Sequence, residues 1–489
     1  MNQANYKQVL INKIKVGMSW SLIGSLFSKL MTLFAAVYTA RYLGKDTFGA
    51  FGLVQSTIGF FGVFAGAGMG LTGTRYISRL HMNNKEKASK IIGLMIIFSV
   101  VCFVIISVPL FMFSKSISAN ILNNGSIWCA VRLGIILLFC NVFLEMISGL
   151  LAGFEDFKGI AKGEIVRGLL TFPFLYFLIN KFGLNGAILA VSFATLLGSF
   201  VMLQKLFKKC VENGIKIIFK DSFKEIDIII HFSLPSLIAS SLPIPVIWVS
   251  HILLTSLPNG YGELGIYNAS NQFRMVIMIL PLLLNKVLVP LLSIENSQKN
   301  MKMFGNIMDI TNSVTISLVL PLGTLLIFFG QYVMALYGKD FISGWVVFNG
   351  MICGTIISAI GSVIGSAIAA TGYMWVGALQ NFFWGLIYIC IVFLGYRENG
   401  AEALSFAFMI AHLALLIMSV IFLKAKNIIS TKLFVNIILS SFWLISVTLS
   451  AQYIAPNYKL FTGGVFFFAS ICLCIFVILP ISIRKQIVS

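Results

Sequence analysis

Residues 41–51 read RYLGKDTFGAF and residues 257–267 read LPNGYGELGIY, and Phe48-Gly49-Ala50-Phe51 of the first lies over Leu264-Gly265-Ile266-Tyr267 of the second at an offset of 216. Two further matches keep nearly the same offset. Ala152 to Gly159 can be laid on Ala370 to Gly377, with Phe157 over Trp375, at 218, and Asn185-Gly186-Ala187 on Asn399-Gly400-Ala401 at 214. Each match alone is weak, because two unrelated apolar stretches with shared insertion logic can resemble one another. Three matches whose offsets agree within four residues point to a duplicated unit.

Composition says what the unit is made of. With 58% hydrophobic residues, 10% charged residues and a mean hydropathy of +0.96, the chain lacks the polar surface of a water-soluble globule. Apolar runs long enough to cross about 30 Å of hydrocarbon, about 20 residues each, fall at 17–42, 49–73, 91–114, 128–152, 164–181, 185–204, 228–255, 265–292, 307–330, 345–371, 376–395, 402–423, 433–454 and 461–483. These are spans 1 to 14. Spans 5 and 6 are parted only by NKFGLNG, where Gly183, Asn185 and Gly186 suit a turn or a kink. A transmembrane barrel is excluded, since its strands would be alternating segments of about 10 residues.

The repeat unit contains six spans. An even number of crossings leaves both copies in one orientation, related by an axis along the membrane normal. The expected fold is an all-α polytopic membrane protein of about 14 transmembrane helices. Residues 1–204 form an N-lobe, 205–227 a cytoplasmic linker and 228–423 a C-lobe, with two appended helices in 433–483.

The chain carries 35 Lys and Arg against 16 Asp and Glu. In a soluble protein that excess would suggest nucleic-acid binding; here topology absorbs it. If the N-terminus is cytoplasmic, the connections on its side carry 23 Lys and Arg and those on the other carry 7, which satisfies the positive-inside rule with both termini cytoplasmic. Basic stretches such as TRYISRLHMNNKEKASK and QKLFKKCVENGIKIIFKDSFK read as solvated, orienting loops that touch anionic headgroups. The opening MNQANYKQVLINKIK has no short apolar core or cleavage site, so no removable signal peptide is expected. The eight cysteines lie mostly in apolar runs without CxxC pairs or histidine clusters, so neither disulfides nor metal sites are expected. No loop exceeds about two dozen residues, which disfavours a membrane polymerase or ligase, and no GxxxxGK[ST] stretch is present to mark a fused ATPase. No enzyme activity and no cofactor are expected, and energy would come from an ion gradient, H+ or Na+, a partner, or the substrate's own gradient.

The remaining five cations, Lys29, Arg132, Arg167, Arg274 and Lys286, lie inside the spans, Arg41 and Lys181 at span ends being counted with the connections. A central Lys or Arg costs about 2.5 to 3.5 kcal/mol on insertion scales, so such residues face a bundle interior or a wet cavity and mark an anionic pathway. Lys29 sits mid-span with Ser25 and Thr32 at helical spacing; it suits a phosphate, or pairs with Glu145. Arg274 ends a polar stripe of Asn268, Asn271 and Gln272, and Asn271 and Gln55 join it as cavity candidates. Lys286, Arg132 and Arg167 serve the cavity or act as structural anchors, Arg167 lying one turn from Glu164. Arg41 and Arg75 flank span ends as gates or anchors. Glu145 is the one acid deep in a span, and it and His412 are the coupling candidates, with ordinary hydrogen-bonded structure as the alternative for His412. Pro235, Pro243 and Pro245 break span 7, and Gly59, Gly62, Gly66, Gly68 and Gly70 thin span 2, permitting bending or close packing.

TARYLGKDTFGAFGLVQS, GTRYISR closing span 2, GLLAGFEDFKGIAKGEI across spans 4 and 5, and GLNGAILA opening span 6 resemble the polysaccharide transporter family. That family holds the O-antigen repeat-unit flippases and shares the multidrug/oligosaccharidyl-lipid/polysaccharide exporter superfamily with the lipid II flippases and drug extruders. The resemblance covers spans 1 to 12. It implies a two-lobed, V-shaped fold that moves an undecaprenyl-pyrophosphate-linked oligosaccharide from the inner to the outer leaflet of the bacterial cytoplasmic membrane. A polysaccharide polymerase and a chain-length regulator are implied partners; nucleic acid is not. Arg274 resembles, by helix position, the cavity arginines of the lipid II flippases, and Lys29 and Arg274 are expected to face each other from opposite lobes. A lipid II flippase and a multidrug or cation antiporter are the alternatives; a drug site would favour intramembrane acids over these cations.

Overall fold

The computed structural model describes residues 3–233, 237, 241–426, 428, 430–454 and 456–479. Every long element in them is helical: α1 Gln3–Gly66, α2 Met69–Leu80, α3 Lys85–Met112, α4 Trp128–Gly153, α5 Phe157–Glu212, α6 Pro243–Thr255, α7 Gly260–Ile277, α8 Ile279–Ser297, α9 Met301–Phe328, α10 Trp345–Ala370, α11 Met374–Ala425, α12 Thr431–Tyr453 and α13 Pro456–Leu473. Among the described residues nine stretches are long and apolar enough to cross a membrane. Three of them, of 43, 56 and 52 residues in α1, α5 and α11, are about twice the length that 30 Å requires at 1.5 Å per residue. Each carries one non-helical glycine inside it: Gly44, Gly183 and Gly400. Counting these as pairs of crossings, α7 with α8 as one bent crossing, and the short α6 as span 7, the fold has about fourteen crossings.

The breaks in α5 and α11 are hairpins. In α5 the backbone turns at Gly183 (φ 53°, ψ −127°), and in α11 at Gly400 (φ 48°, ψ −126°). Positive φ with that ψ is open to glycine and strained for other residues. After each turn the second arm runs back along the first: Trp384 meets His412 and Gln380 meets Ser419 in α11. Two glycines 217 positions apart with matching dihedrals are the repeat written in the backbone. They also correct its register at this point, since Gly400 corresponds to Gly183 and not to Gly186. Gly186 has a different task, holding the returning arm where an added Cβ would lie 2.0 Å from the Leu178 carbonyl oxygen.

The first repeat match is also a contact. A Cβ on Gly49 would lie 1.8 Å from the Tyr261 carbonyl oxygen, and one on Gly265 would lie 2.2 Å from that of Lys45. Lys45 precedes Gly49 by four residues, as Tyr261 precedes Gly265, so this crossing is locally two-fold symmetric. Small residues let the two backbones touch.

The chain divides into two compact units, Met1–Gly265 and Ile266–Ser489. In the first, the opening arm of α1 runs parallel to the first arm of α5, with Ser28 bonded to Glu164 and Tyr38 packed on Phe172 and Tyr176. Parallel packing is the parity expected of spans 1 and 5. Ile77, Ile91, Ile92, Met95, Leu150 and Met202 fill the core shared by α2 to α5. In the second unit α12 is pinned to α9 by three polar rungs: Ser430 donates to Asp309 (2.6 Å), Asn436 to Ser313 (3.1 Å) and the Trp443 indole to Thr324 (3.2 Å). A satisfied polar pair between helices in hydrocarbon fixes register, at about 0.6 kcal/mol apiece.

Span 2 is discontinuous. Ala67 (φ 45°) and Gly68 (φ 70°) leave the helical region between α1 and α2, where the sequence showed only a glycine-thinned helix. Pro243 and Pro245 open α6, proline being tolerated in a first turn whose N–H groups have no helical partner; Pro235 lies outside the described residues.

Candidate functional site

The cations separate by what holds them. Arg132, in the second turn of α4, donates from Nε to Ser114 (2.7 Å), and its guanidinium lies 4.6 Å from the Phe111 ring centroid and 4.8 Å from that of Trp128. It is a clasp between the end of α3 and the start of α4. Arg167 forms a 2.5 Å ion pair with Glu164 one turn before it, and Ser28 donates to the same carboxylate oxygen at 3.3 Å. This pair ties α5 to α1 at the residue next to Lys29. Lys29 itself is half-buried, on the turn where Thr32 returns its hydroxyl to the Ser28 carbonyl.

Gln55 is half-buried on the second arm of α1, Arg41 is exposed near the end of its first arm, and Arg75 is exposed on α2 beside the Tyr76 ring. The side chain of Lys286 lies outside the described residues. Glu145 stands at the break in span 2. A methyl group on Gly66 or Gly70 would come within 3.1 or 3.2 Å of its carboxylate, and among the described residues no ion pair or hydrogen bond to it is present. The alternative pairing of Glu145 with Lys29 is therefore not made. Backbone groups freed at a broken helix are where membrane transporters hold coupling ions.

Arg274 belongs to a polar and aromatic cluster in the second unit. Its Nε donates to Asn271 Oδ1 at 2.6 Å, and its guanidinium lies 5.4 Å from the Phe408 ring centroid. Tyr267 and Tyr388, hydrogen-bonded to each other, are within its electrostatic reach. Tyr388 stacks on Trp384 at 5.3 Å, and Trp384 donates to Nδ1 of His412 at 3.1 Å. That Nδ1 is also 2.9 Å from the Phe408 carbonyl oxygen. A neutral ring protonated on Nε2 accepts from Trp384 at Nδ1, whereas a ring protonated on Nδ1, neutral or charged, donates to the Phe408 carbonyl, so the partner follows whether Nδ1 carries a proton. No carboxylate forms an ion pair with Arg274 among the described residues. Asn271 and Phe408 hold the Nε edge and one face of the guanidinium, Nη2 lies 3.8 Å from the sulfur of Met275, a weak acceptor, and the terminal nitrogens have the geometry that binds phosphate or carboxylate oxygens in pairs.

Arg274, Asn271 and His412 thus come together in one cluster. Trp384, Tyr388, Tyr267 and Phe408 were not among the residues the sequence singled out. Their signal is helical spacing, Trp384 to Tyr388 and Phe408 to His412 at i, i+4, but aromatic pairs at that spacing also face lipid.

About fourteen crossings and a duplicated unit define a polytopic membrane transporter. Residues 14–294 match the polysaccharide biosynthesis protein family, more than half of the chain, and the chain belongs to that family. It is similar to the EPS I polysaccharide export inner membrane protein EpsE of Ralstonia nicotianae, at 19% identity over 80% of this chain and 89% of that protein. A proposed O-antigen transporter of Shigella flexneri is 22% identical over 74% of this chain and 85% of its own length. The lipid II flippase MurJ in an inward closed conformation superposes with a TM-score of 0.71 at 14% identity, covering 96% of this chain and 99% of that one. At that identity the likeness is one of fold.

Proposed function

We propose that the protein is a flippase that carries an undecaprenyl-pyrophosphate-linked oligosaccharide, an O-antigen or related surface polysaccharide repeat unit, from the cytoplasmic to the outer leaflet of a bacterial cytoplasmic membrane. The observation that carries this reading is Arg274, held by Asn271 and Phe408 without a carboxylate partner among the described residues. A guanidinium in that state within hydrocarbon selects an anion, and pyrophosphate is the anion that matches its fork. In the first unit, half-buried Lys29 is a point charge of the kind that suits a phosphate or an acidic sugar.

The lipid tail remains in the bilayer while the head group passes between cytoplasmic-facing and outward-facing states. Glu145 at the broken span 2 takes the coupling ion, H+ or Na+. Both termini are cytoplasmic, which follows from the 23 to 7 distribution of Lys and Arg. A polysaccharide polymerase and a chain-length regulator would consume the product at the outer leaflet. Cells depleted of the protein should accumulate lipid-linked oligosaccharide on the inner leaflet. Drug sensitivity without that accumulation would instead mark an exporter of cationic compounds.

A further inference from the structure

A second concentration of positive charge lies outside the cluster around Arg274. At the open end of the α5 hairpin, Lys158 and Lys162 from its first turns converge with Lys205, Lys208 and Lys209 from its last turns on a hollow of about 260 Å³. Asp156 and Glu212 are the acids lining it. Glu212 is shared by Lys209 (2.7 Å) and Lys208 (3.9 Å), and Asp156 accepts from the Gly159 N–H (2.9 Å) as the helix cap. Lys162 and Lys205 have no ion-pair partner among the described residues. With all these groups ionised the hollow carries five positive and two negative charges, a net +3. The Lys158 ammonium lies 4.9 Å from the Trp20 ring centroid, and Trp marks the boundary of hydrocarbon and water.

Orientation does not require this arrangement. Topogenic lysines act anywhere within about 15–20 residues of a span end, whereas five lysines lining one concavity against two carboxylates leave a surplus of positive charge that a bound anion would neutralise. We propose that this hollow binds a phosphate group presented at the membrane surface. A phospholipid head group and the pyrophosphate of a lipid-linked glycan share that chemistry. The site is separate from Arg274 and does not depend on the flippase reading.

The test uses the full-length protein purified in detergent. Native mass spectrometry measures binding of phosphatidylglycerol against phosphatidylcholine, and a second arm adds inorganic pyrophosphate as competitor. The wild type should retain phosphatidylglycerol preferentially, and Lys162→Gln with Lys205→Gln should weaken it about 30-fold, at the scale of two surface lysines. Lys162→Arg with Lys205→Arg should restore it, which a purely structural loss would not. Displacement by pyrophosphate assigns the site to pyrophosphate-bearing lipid; retention of phosphatidylglycerol against it assigns the site to a phospholipid head group. Equal binding by the glutamine variant and the wild type, or equal loss in the arginine and glutamine variants, overturns the proposal. No transport is measured, so failure here leaves the flippase reading standing, and failed export leaves this site standing.

Discussion

Asn271 and Phe408 each hold part of the Arg274 guanidinium, and the remaining fork is what a substrate anion would take. Arg274→Ala should therefore abolish export while leaving the protein in the membrane, and Arg274→Lys should recover little, because an ammonium cannot bond in pairs. A hydrogen bond to a charged group contributes about 1.5–3 kcal/mol, so binding should weaken by about 10- to 100-fold, measured as export of surface polysaccharide in complemented cells. Lys29→Ala should fail likewise, while Lys29→Arg keeps partial function. Normal export in both alanine variants would refute the site. Lys29 and Arg274 stand out in the sequence because a cation in hydrocarbon is costly enough to demand a reason. The aromatic partners of His412 do not, since Trp384 in an apolar helix looks the same facing lipid or facing the bundle. Arg132 shows the other limit: the cost of burying it is offset by Ser114 and two aromatic rings, and only coordinates reveal that partnership.

At the scale of elements, glycine placement sets the architecture. Gly183→Ala and Gly400→Ala should each destabilise the protein by about 1–3 kcal/mol, the cost of a non-glycine residue in a glycine-only region. The two losses should be similar because the dihedrals match, which thermal unfolding in detergent can compare; stability unchanged in both would mean the hairpins tolerate another turn. Gly49→Val meets the Tyr261 backbone instead, and no flexible side chain can yield there. Overpacking of that kind costs about 1–3 kcal/mol, and it should open the contact between residues 45–49 and 261–265, read as loss of a disulfide engineered across it. The six-span period was legible from three short matches. The register at the hairpins was not, because Asn-Gly-Ala recurs in both halves while the backbone break falls on Gly183, three residues before Gly186. The break at Ala67 was also hidden: glycines at 66, 68 and 70 are compatible with a thin helix, a bend or a full interruption.

For the whole molecule, an even number of crossings would put both termini on one side, and the positive-inside rule applied to the lysine and arginine distribution predicts that this side is cytoplasmic. In a cysteine-free background, Lys339→Cys should react with a membrane-impermeant maleimide in intact spheroplasts, while Lys85→Cys should react only after permeabilisation. The reverse pattern would invert the topology. Class and crossing number were legible because each crossing is a long apolar run; the identity of the glycan was not, because an oligosaccharide is read by side chains scattered over several helices. The central claim is that the protein moves a pyrophosphate-linked oligosaccharide across a bilayer. Its most direct test reconstitutes the purified chain in liposomes with a fluorescent undecaprenyl-pyrophosphate-linked oligosaccharide and adds an impermeant quencher of the sugar label. The wild type should expose the whole labelled population to the quencher and Arg274→Ala only the outer-leaflet fraction; an inner fraction that stays protected with the wild type, under every imposed H+ or Na+ gradient, would contradict the account.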